Sequence, residues 1–346
     1  MGTRVDGLLI VDKPEGITSL DVVREVKRQL GVKKAGHIGT LDPFATGVLP
    51  VVVNEGTKLV PFLDEEPKDY EALMKLGEET TTDDVTGKVV HGETWEDVSP
   101  EMIHHVFQTF LGKIQQIPPM FSAIKVEGKP LYRSARKGIE VERKEREVEI
   151  FHIQIEELHP PQVRFRVSCS KGTYVRSLAR YIGRKIGCGA HLLQLRRLRS
   201  GPFTLEKAIR WKTLKDLSKT ENLFPWVISL KEALPNLPEV IGDERLLRRV
   251  RFGKEMVVRD LCAQTLPAFE KGAWLKITSP EEGLVAILRS EVRGTDISLA
   301  TPETVVLRPL RVFQPKKDDH LENTFSLKEA FHDTGSREEK GNHGTV

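Results

Sequence analysis

Cysteine is scarce in this chain. Cys169, Cys188 and Cys262 are the three in 346 residues, scattered and without a CxxC spacing. That excludes a disulfide framework, argues against a zinc site, and fits a reducing cytoplasm. Long hydrophobic runs are missing too. None is long enough to span a bilayer, and the first residues lack the apolar core of a signal peptide. Clusters of metal ligands, phosphate-cradling glycine loops and internal repeats are also wanting. Net charge is small, at +3. The expectation is a cytoplasmic protein with no metal, no organic cofactor and no membrane role.

What is present is more specific. The length suggests two domains, and a hydrophobic fraction of 39% suffices for packed cores. The charge is unevenly spread. Acids dominate residues 64–101. Over residues 171–210 the bases Lys171, Arg176, Arg180, Arg184, Lys185, Arg196, Arg197, Arg199, Lys207 and Arg210 face the single acid Glu206. Such a stretch reads as a footprint for a polyanion, or as a solvated helix face.

In chain order, residues 8–11 form a short strand, turned by Lys13-Pro14-Glu15-Gly16. Thr18 or Ser19 caps a helix with the buried stripe Val22, Val23, Val26 and Leu30, ended by Gly31. Residues 48–53 are apolar and β-branched, as in a buried strand. Gly56 and Thr57 break it, and Thr57 is a candidate cap for a following helix. Alternation over 68–77 places Tyr70, Ala72, Met74 and Leu76 on one face of a strand, and 78–87 reads as a polar turn. Residues 100–112 suit a helix burying Ile103, Val106, Phe107 and Phe110. Residues 146–158 and 163–169 are strands. The second leads through Gly172 into a helix striped by Leu178, Ile182 and Ile186, which sets Tyr174 and Arg176 at a strand-to-helix junction. Beyond Pro235 a basic helix at 243–252 and strands at 273–277, 284–289 and 304–313 indicate a small β-rich domain. Past Pro315 the composition predicts disorder.

The chemistry concentrates in Gly36-His37-Ile38-Gly39-Thr40-Leu41-Asp42-Pro43-Phe44-Ala45-Thr46-Gly47-Val48-Leu49-Pro50. Three glycines and two prolines rule out a regular helix, and Pro43 biases Asp42 towards an extended or turn conformation. A stiff loop therefore presents one carboxylate. This segment resembles the signature GHxGTLDPxATGxL of the TruB family of pseudouridine synthases. Lys13 to Ser19 is similar to that family's KPxGxTS motif. Further blocks match in order: TxTDDxxG ending at Gly87, QxPPxxSAxK ending at Lys125, KGTYxRxL beginning at Lys171, and AHxxxLRRxxxGPF ending at Phe203. The C-terminal part resembles, more loosely, a PUA-like RNA-binding domain.

The resemblance implies an α+β pseudouridine synthase fold with a mixed, largely antiparallel sheet flanked by helices, followed by the PUA-like domain. The implied boundaries are 1–236 and 237–315, with a tail at 316–346. It implies isomerisation of uridine to pseudouridine at position 55 in the T loop of tRNA, by a monomer with no obligatory protein partner. Asp42 is the implied nucleophile, attacking either base or sugar. Tyr70 stacks on the base and serves the proton step. Arg176 pairs with Asp42. His37 fills the space of the extruded nucleotide, Tyr174 packs at the base, and Leu195 lines the uridine pocket. Arg196 and Arg197 are candidates for phosphate contact. Lys58 matches a basic residue near the site, or is a helix-surface lysine. Asp84 steadies the arginine, or caps its own turn. Lys13 and Pro14 support the site. His191 reads as structural.

These residue types suit the reaction. Moving a ribose from nitrogen to carbon on one base gains no atoms and changes no oxidation state. It needs an ionised carboxylate as covalent catalyst, held charged by a neighbouring guanidinium. Unstacking the target base costs a few kcal/mol, and aromatic stacking recovers about 1–3 kcal/mol per base. An RNA-guided catalytic subunit and a tRNA-folding chaperone without activity are the alternatives on the same fold. A carboxylate hydrolase is a remoter option, since no second catalytic acid is evident near Asp42.

Overall fold

Strands β1 (Gly7–Lys13) and β3 (Thr46–Val53) carry apolar runs and are buried at nearly every position. The computed structural model, which describes residues 5–63, 67–122, 124–126, 128–135, 137–217 and 223–314, shows the reason. Both strands are covered on both faces. Leu9, Val11, Leu49, Val51 and Val53 join a core filled by helices, while Leu8, Ile10, Val48 and Val52 pack against Ala233 and Leu234 and against Leu284, Ile287 and Phe313 of the C-terminal part. A strand buried on both sides has no polar face to alternate with.

The central sheet is mixed and mostly antiparallel. Its further strands are β2 (Ala35–His37), β4 (Lys68–Leu76), β7 (Gly112–Gln116), β8 (Arg146–His159), β9 (Gln162–Cys169), β10 (Ala190–Ser200), β11 (Phe203–Thr204) and β12 (Ile209–Arg210). A small hairpin of β5 (Glu78–Thr80) and β6 (Val89–Gly92) stands apart. The sheet order is β12-β1-β3-β10-β4-β9-β8-β7, with β2 on β3 and β11 on β10. The β12–β1 and β3–β10 pairs are parallel. Helices α1 (Ser19–Leu30), α2 (Pro100–Gln108) and α3 (Val175–Ile186) cover one face through Val22, Val26, Ile103, Phe107, Leu178 and Ile182.

Thr18, of the two candidates, caps α1. It forms a reciprocal box with Asp21, and Gly31 closes the helix at a φ of 63°. Ser19 has another task. It is buried, its Oγ donates to the Leu41 carbonyl (3.0 Å), and it accepts the Leu41 N–H (2.9 Å). Ser19→Ala strands both polar groups of a buried backbone position. We expect a loss of about 2 kcal/mol, read as a lowered urea midpoint with unchanged slope.

Gly47 shows how tightly the end of the Asp42 loop is seated. It pairs with Arg197 where β3 meets β10, its φ is 102°, and an added Cβ would lie 2.2 Å from the Arg197 carbonyl oxygen. Backbone cannot yield as a flexible side chain does. Gly47→Ala is therefore expected to destabilise by about 4 kcal/mol or more, the range reserved for strain and core overpacking, as measured by thermal or urea unfolding.

The C-terminal part forms a second sheet from β13 (Glu239–Ile241), β14 (Met256–Val257), β15 (Trp274–Ser279), β16 (Gly283–Ser290) and β17 (Val305–Val312), in the order β13-β15-β16-β17-β14. Helix α4 (Glu244–Arg251), capped by Asp243, covers its core. The short helical turn Val60–Leu63 also packs against the second sheet, through an edge-to-face pair of Phe62 and Trp274 at 5.0 Å.

Three expectations need correction. Thr57 caps no helix: it lies inside a 3-10 turn (Asn54–Leu59), where its hydroxyl donates to the Asn54 carbonyl. The segment 78–87 is not turn throughout, because its first residues form β5. Helix α2 stops at Gln108, short of Gly112, which opens β7 at a φ of 89°. The expected tail lies outside the described residues.

Candidate active site

Asp42 sits on the loop between β2 and β3, and the loop is held from below. Lys13, completely buried, points its Nζ at the carbonyls of Pro14 (2.8 Å), Ile17 (2.8 Å) and Pro43 (3.2 Å). The Gly16 N–H also donates to the Pro43 carbonyl (2.8 Å), and Ser19 holds Leu41. The turn after β1 thus clasps both neighbours of Asp42, which gives the KPxGxTS residues a physical purpose. Burial brings the Lys13 ammonium down to about 8, with Asp42 pulling the other way.

Arg176 comes from the first turn of α3 and is buried. Its Nε lies 2.8 Å from Asp42 Oδ2. Nη1 donates to the Thr82 carbonyl (2.8 Å) and lies 3.5 Å from Asp84 Oδ2; Nη2 donates to the Phe121 carbonyl (2.8 Å). With both Nη atoms tied the guanidinium cannot swing, and Nε is left beside Asp42. The Asp84 carboxylate also caps its own turn through Oδ1, which accepts from the hydroxyls of Thr82 and Thr86. One side chain thus lies against both Arg176 and its own turn.

Asp42, Tyr70, Tyr174, Arg176 and Leu195 line one cleft of about 250 Å³. Burial pushes the Asp42 carboxyl above its ordinary value, Arg176 pulls it down, and the nearby Asp84 charge pushes it up. Burial likewise raises the Tyr70 hydroxyl, opposed by the guanidinium of Arg197 beside it. Tyr174 ends the turn before α3. Its backbone is gripped by Gln116, whose amide accepts from the Tyr174 N–H (2.8 Å) and donates to its carbonyl (3.1 Å).

Other candidates fall elsewhere. Arg197 is no surface phosphate ligand. It is wholly buried, donating to the carbonyls of Val48 (2.7 Å) and Gly39 (2.8 Å), and it forms part of the cleft wall. Arg196 projects from the opposite face of the strand, as adjacent residues must, and pairs with Asp12 at 2.8 Å. Lys58 lies at the seam with the second sheet, on Glu55 (2.6 Å) and the Val312 carbonyl (3.0 Å), away from the cleft. His37 ends β2 ahead of the Asp42 loop, and Pro14 lies in the clasp rather than in the cleft wall. His191 is buried, its Nδ1 3.1 Å from the Glu78 carbonyl.

The basic segment also changes meaning. Arg180 pairs with Asp83 (3.1 Å), Arg184 with Glu79 (2.7 Å) and Arg199 with Asp69 (2.5 Å). With Arg176 on Asp84, four of the ten bases pair with acids between residues 69 and 84, and that part of the expected polyanion footprint is spent inside the fold. Sequence reasoning missed Lys68 and Ser122, which also line the cleft. Lys68 had a signal: it stands two residues before Tyr70 on the same strand face.

Residues 27–175 match the model for the TruB family pseudouridylate synthase N-terminal domain. The chain belongs to this family. Residues 176–234 match the model for the tRNA pseudouridylate synthase B C-terminal domain. A protein named tRNA pseudouridine synthase B from Geobacter sulfurreducens is 45% identical over 309 residues, covering 89% of this chain and all of that relative. One of the same name from Syntrophus aciditrophicus is 42% identical over 312 residues, covering 90% of this chain and all of the relative. Among solved structures, a chain of a Cbf5-Nop10-Gar1 complex superposes with a TM-score of 0.69 at 31% identity, over 90% of this chain and 85% of the other. The archaeal box H/ACA sRNP Nop10-Cbf5 complex gives 0.67 at 29%, over 90% and 87%. The fold expected from the family motifs is the one observed. No helix among the described residues is long and apolar enough to cross a membrane.

Proposed function

We propose that this pseudouridine synthase acts on tRNA and isomerises the uridine at position 55 of the T loop, alone and without a guide RNA. The observation that carries this reading is the Asp42–Arg176 contact at 2.8 Å in a cleft shared with Tyr70 and Leu195. The names of the relatives support tRNA as the substrate.

The target base leaves its stack, enters the cleft and lies against Tyr70, with Leu195 on the apolar wall. Arg176 keeps Asp42 ionised against the cost of burial, and the carboxylate forms a transient bond to the nucleotide. The glycosidic bond to nitrogen breaks, the base turns, its C5 bonds to the ribose, the bond to Asp42 breaks, and N1 takes a proton from solvent. The C5 proton then departs by way of the Tyr70 oxygen to solvent. Arg197 beside that hydroxyl meets negative charge as it develops there, as a preorganised positive charge. The C-terminal sheet extends the RNA-binding surface as a PUA-like domain.

The test uses purified protein and a tRNA transcript carrying tritium at uridine C5, with no other RNA or protein. Release of one tritium per transcript, lost when the uridine at position 55 is replaced by cytidine, supports the reading. Release that persists after that replacement assigns another uridine. Release that appears only with an added guide RNA assigns the guided form.

A further inference from the structure

Helix α3 carries arginines at positions 176, 180 and 184, one helical turn apart and on one face. Arg176 reaches Asp42. The next, Arg180, reaches Asp83 through Nη1 and Oδ1 at 3.1 Å. Asp83 stands between the two groups that hold Nη1 of Arg176, the Thr82 carbonyl and the Asp84 carboxylate.

Asp83 is an unusual place for a carboxylate. It is 5% exposed, and its φ of 62° is left-handed, a region non-glycine residues seldom adopt. Its carbonyl accepts the Leu192 N–H from β10 (3.1 Å), so sheet and helix hold it from two sides. Its Oδ2 and the Nε of Arg180, both buried, have no hydrogen-bond partner among the described residues. A buried ion pair satisfied through one contact contributes little to stability, since desolvation offsets the attraction. The pair is better explained by what it fixes in space.

We propose that Asp83 and Arg180 are positioning residues: their ion pair clamps the turn between β5 and β6 to α3, and so sets the angle at which Arg176 meets Asp42. The inference rests on the reading that Asp42 and Arg176 perform the chemistry. Both ends of the clamp belong to the elements they align. Arg180 is on the helix that carries Arg176, and Asp83 is in the turn that supplies two of its acceptors. Releasing the clamp lets the turn shift against the helix, and the Asp42 contact slackens although no residue touching the substrate has changed.

The test compares Arg180→Met, Arg180→Lys and the double variant Asp83→Asn/Arg180→Met with wild type. Two quantities are read: kcat and KM for tritium release from the tRNA transcript, and the Nε–H resonance of Arg176, identified by its loss in Arg176→Lys. Arg180→Met is expected to lower kcat about 100-fold, the scale of a small misplacement of a catalytic group, with KM within about twofold. Arg180→Lys restores most of kcat, because the observed contact is single and a lysine can make it. The double variant removes both charges, so it regains thermal stability but not kcat, and its Arg176 resonance shifts and exchanges faster with water. A double variant with wild-type kcat and an unmoved resonance overturns the proposal and leaves the pair as charge balance alone. A wild-type protein that releases no tritium sinks the reading of the site, while the Arg176 resonance still decides whether the clamp exists.

Discussion

Asp42→Asn is expected to lower tritium release from the tRNA transcript by on the order of 10⁵-fold or more, the loss seen when a covalent catalyst is removed. RNA affinity should stay within about threefold, because one isosteric amide leaves the cleft wall, the clasp of Lys13 and Ser19, and the surface charge in place. Stability should not suffer. The Asp42 carboxyl is raised above its ordinary value of 3.8, chiefly by burial. Between that value and the folded one the native state binds the extra proton, so this group's contribution falls as pH rises through the window. Above the window the wild type carries a net unfavourable buried charge that an amide lacks. At pH 7 Asp42→Asn should therefore unfold at an equal or higher urea concentration than wild type. Near-wild-type turnover in the variant removes Asp42 from the chemistry. A clear loss of stability shows instead that its pairing with Arg176 outweighs its burial.

Much of the site was legible because its parts are local in sequence. The Asp42 loop announces itself by glycine and proline, the face carrying Tyr70 by alternation, and the Tyr174–Arg176 junction by a strand, a glycine and a helical stripe. What stayed hidden depends on strand order and register. Arg199 meets Asp69 because β10 lies antiparallel to β4 with those residues opposite each other, and, across a shift in register, Arg197 lies opposite Tyr70. Nothing in the dipeptide Arg196-Arg197 says that one side chain is sealed behind the Asp42 loop while the other pairs with Asp12. A run of ten bases looks like one binding surface until Asp69, Glu79, Asp83 and Asp84 are folded against four of them. Lys58 stayed ambiguous for the same reason: besides Glu55, three residues before it, its ammonium meets the Val312 carbonyl, 254 residues away. Side-chain chemistry was readable where the backbone was short-range, and charge pairing was not, because it is a property of the sheet.

Arg176 carries the second large effect, and its two obvious substitutions should fail differently. Arg176→Leu leaves the Asp42 and Asp84 carboxylates facing each other across a space that had held their shared cation. Breaking a buried ion pair from one side costs about 3–5 kcal/mol, and activity should fall about 10³-fold or more as Asp42 is driven towards its protonated form. Arg176→Lys keeps a charge but offers a point donor in place of a fork. One ammonium cannot satisfy the Thr82 and Phe121 carbonyls, Asp84 and Asp42 together, so the turn and the Phe121 segment lose a tie even where the Asp42 contact survives. We expect about 100-fold lower kcat with a small change in KM, the pattern of a lost positioning contact. The pH–rate profile separates charge from geometry. Arg176 is the main group pulling the Asp42 carboxyl down, against burial and Asp84. In Arg176→Leu the acid limb of kcat should therefore move to higher pH, and part of the lost activity should return as pH is raised. In Arg176→Lys the limb should stay near its wild-type position while the plateau drops. An acid limb unmoved in Arg176→Leu would show that the guanidinium does not set the ionisation of Asp42, and that its place beside the carboxylate serves orientation alone.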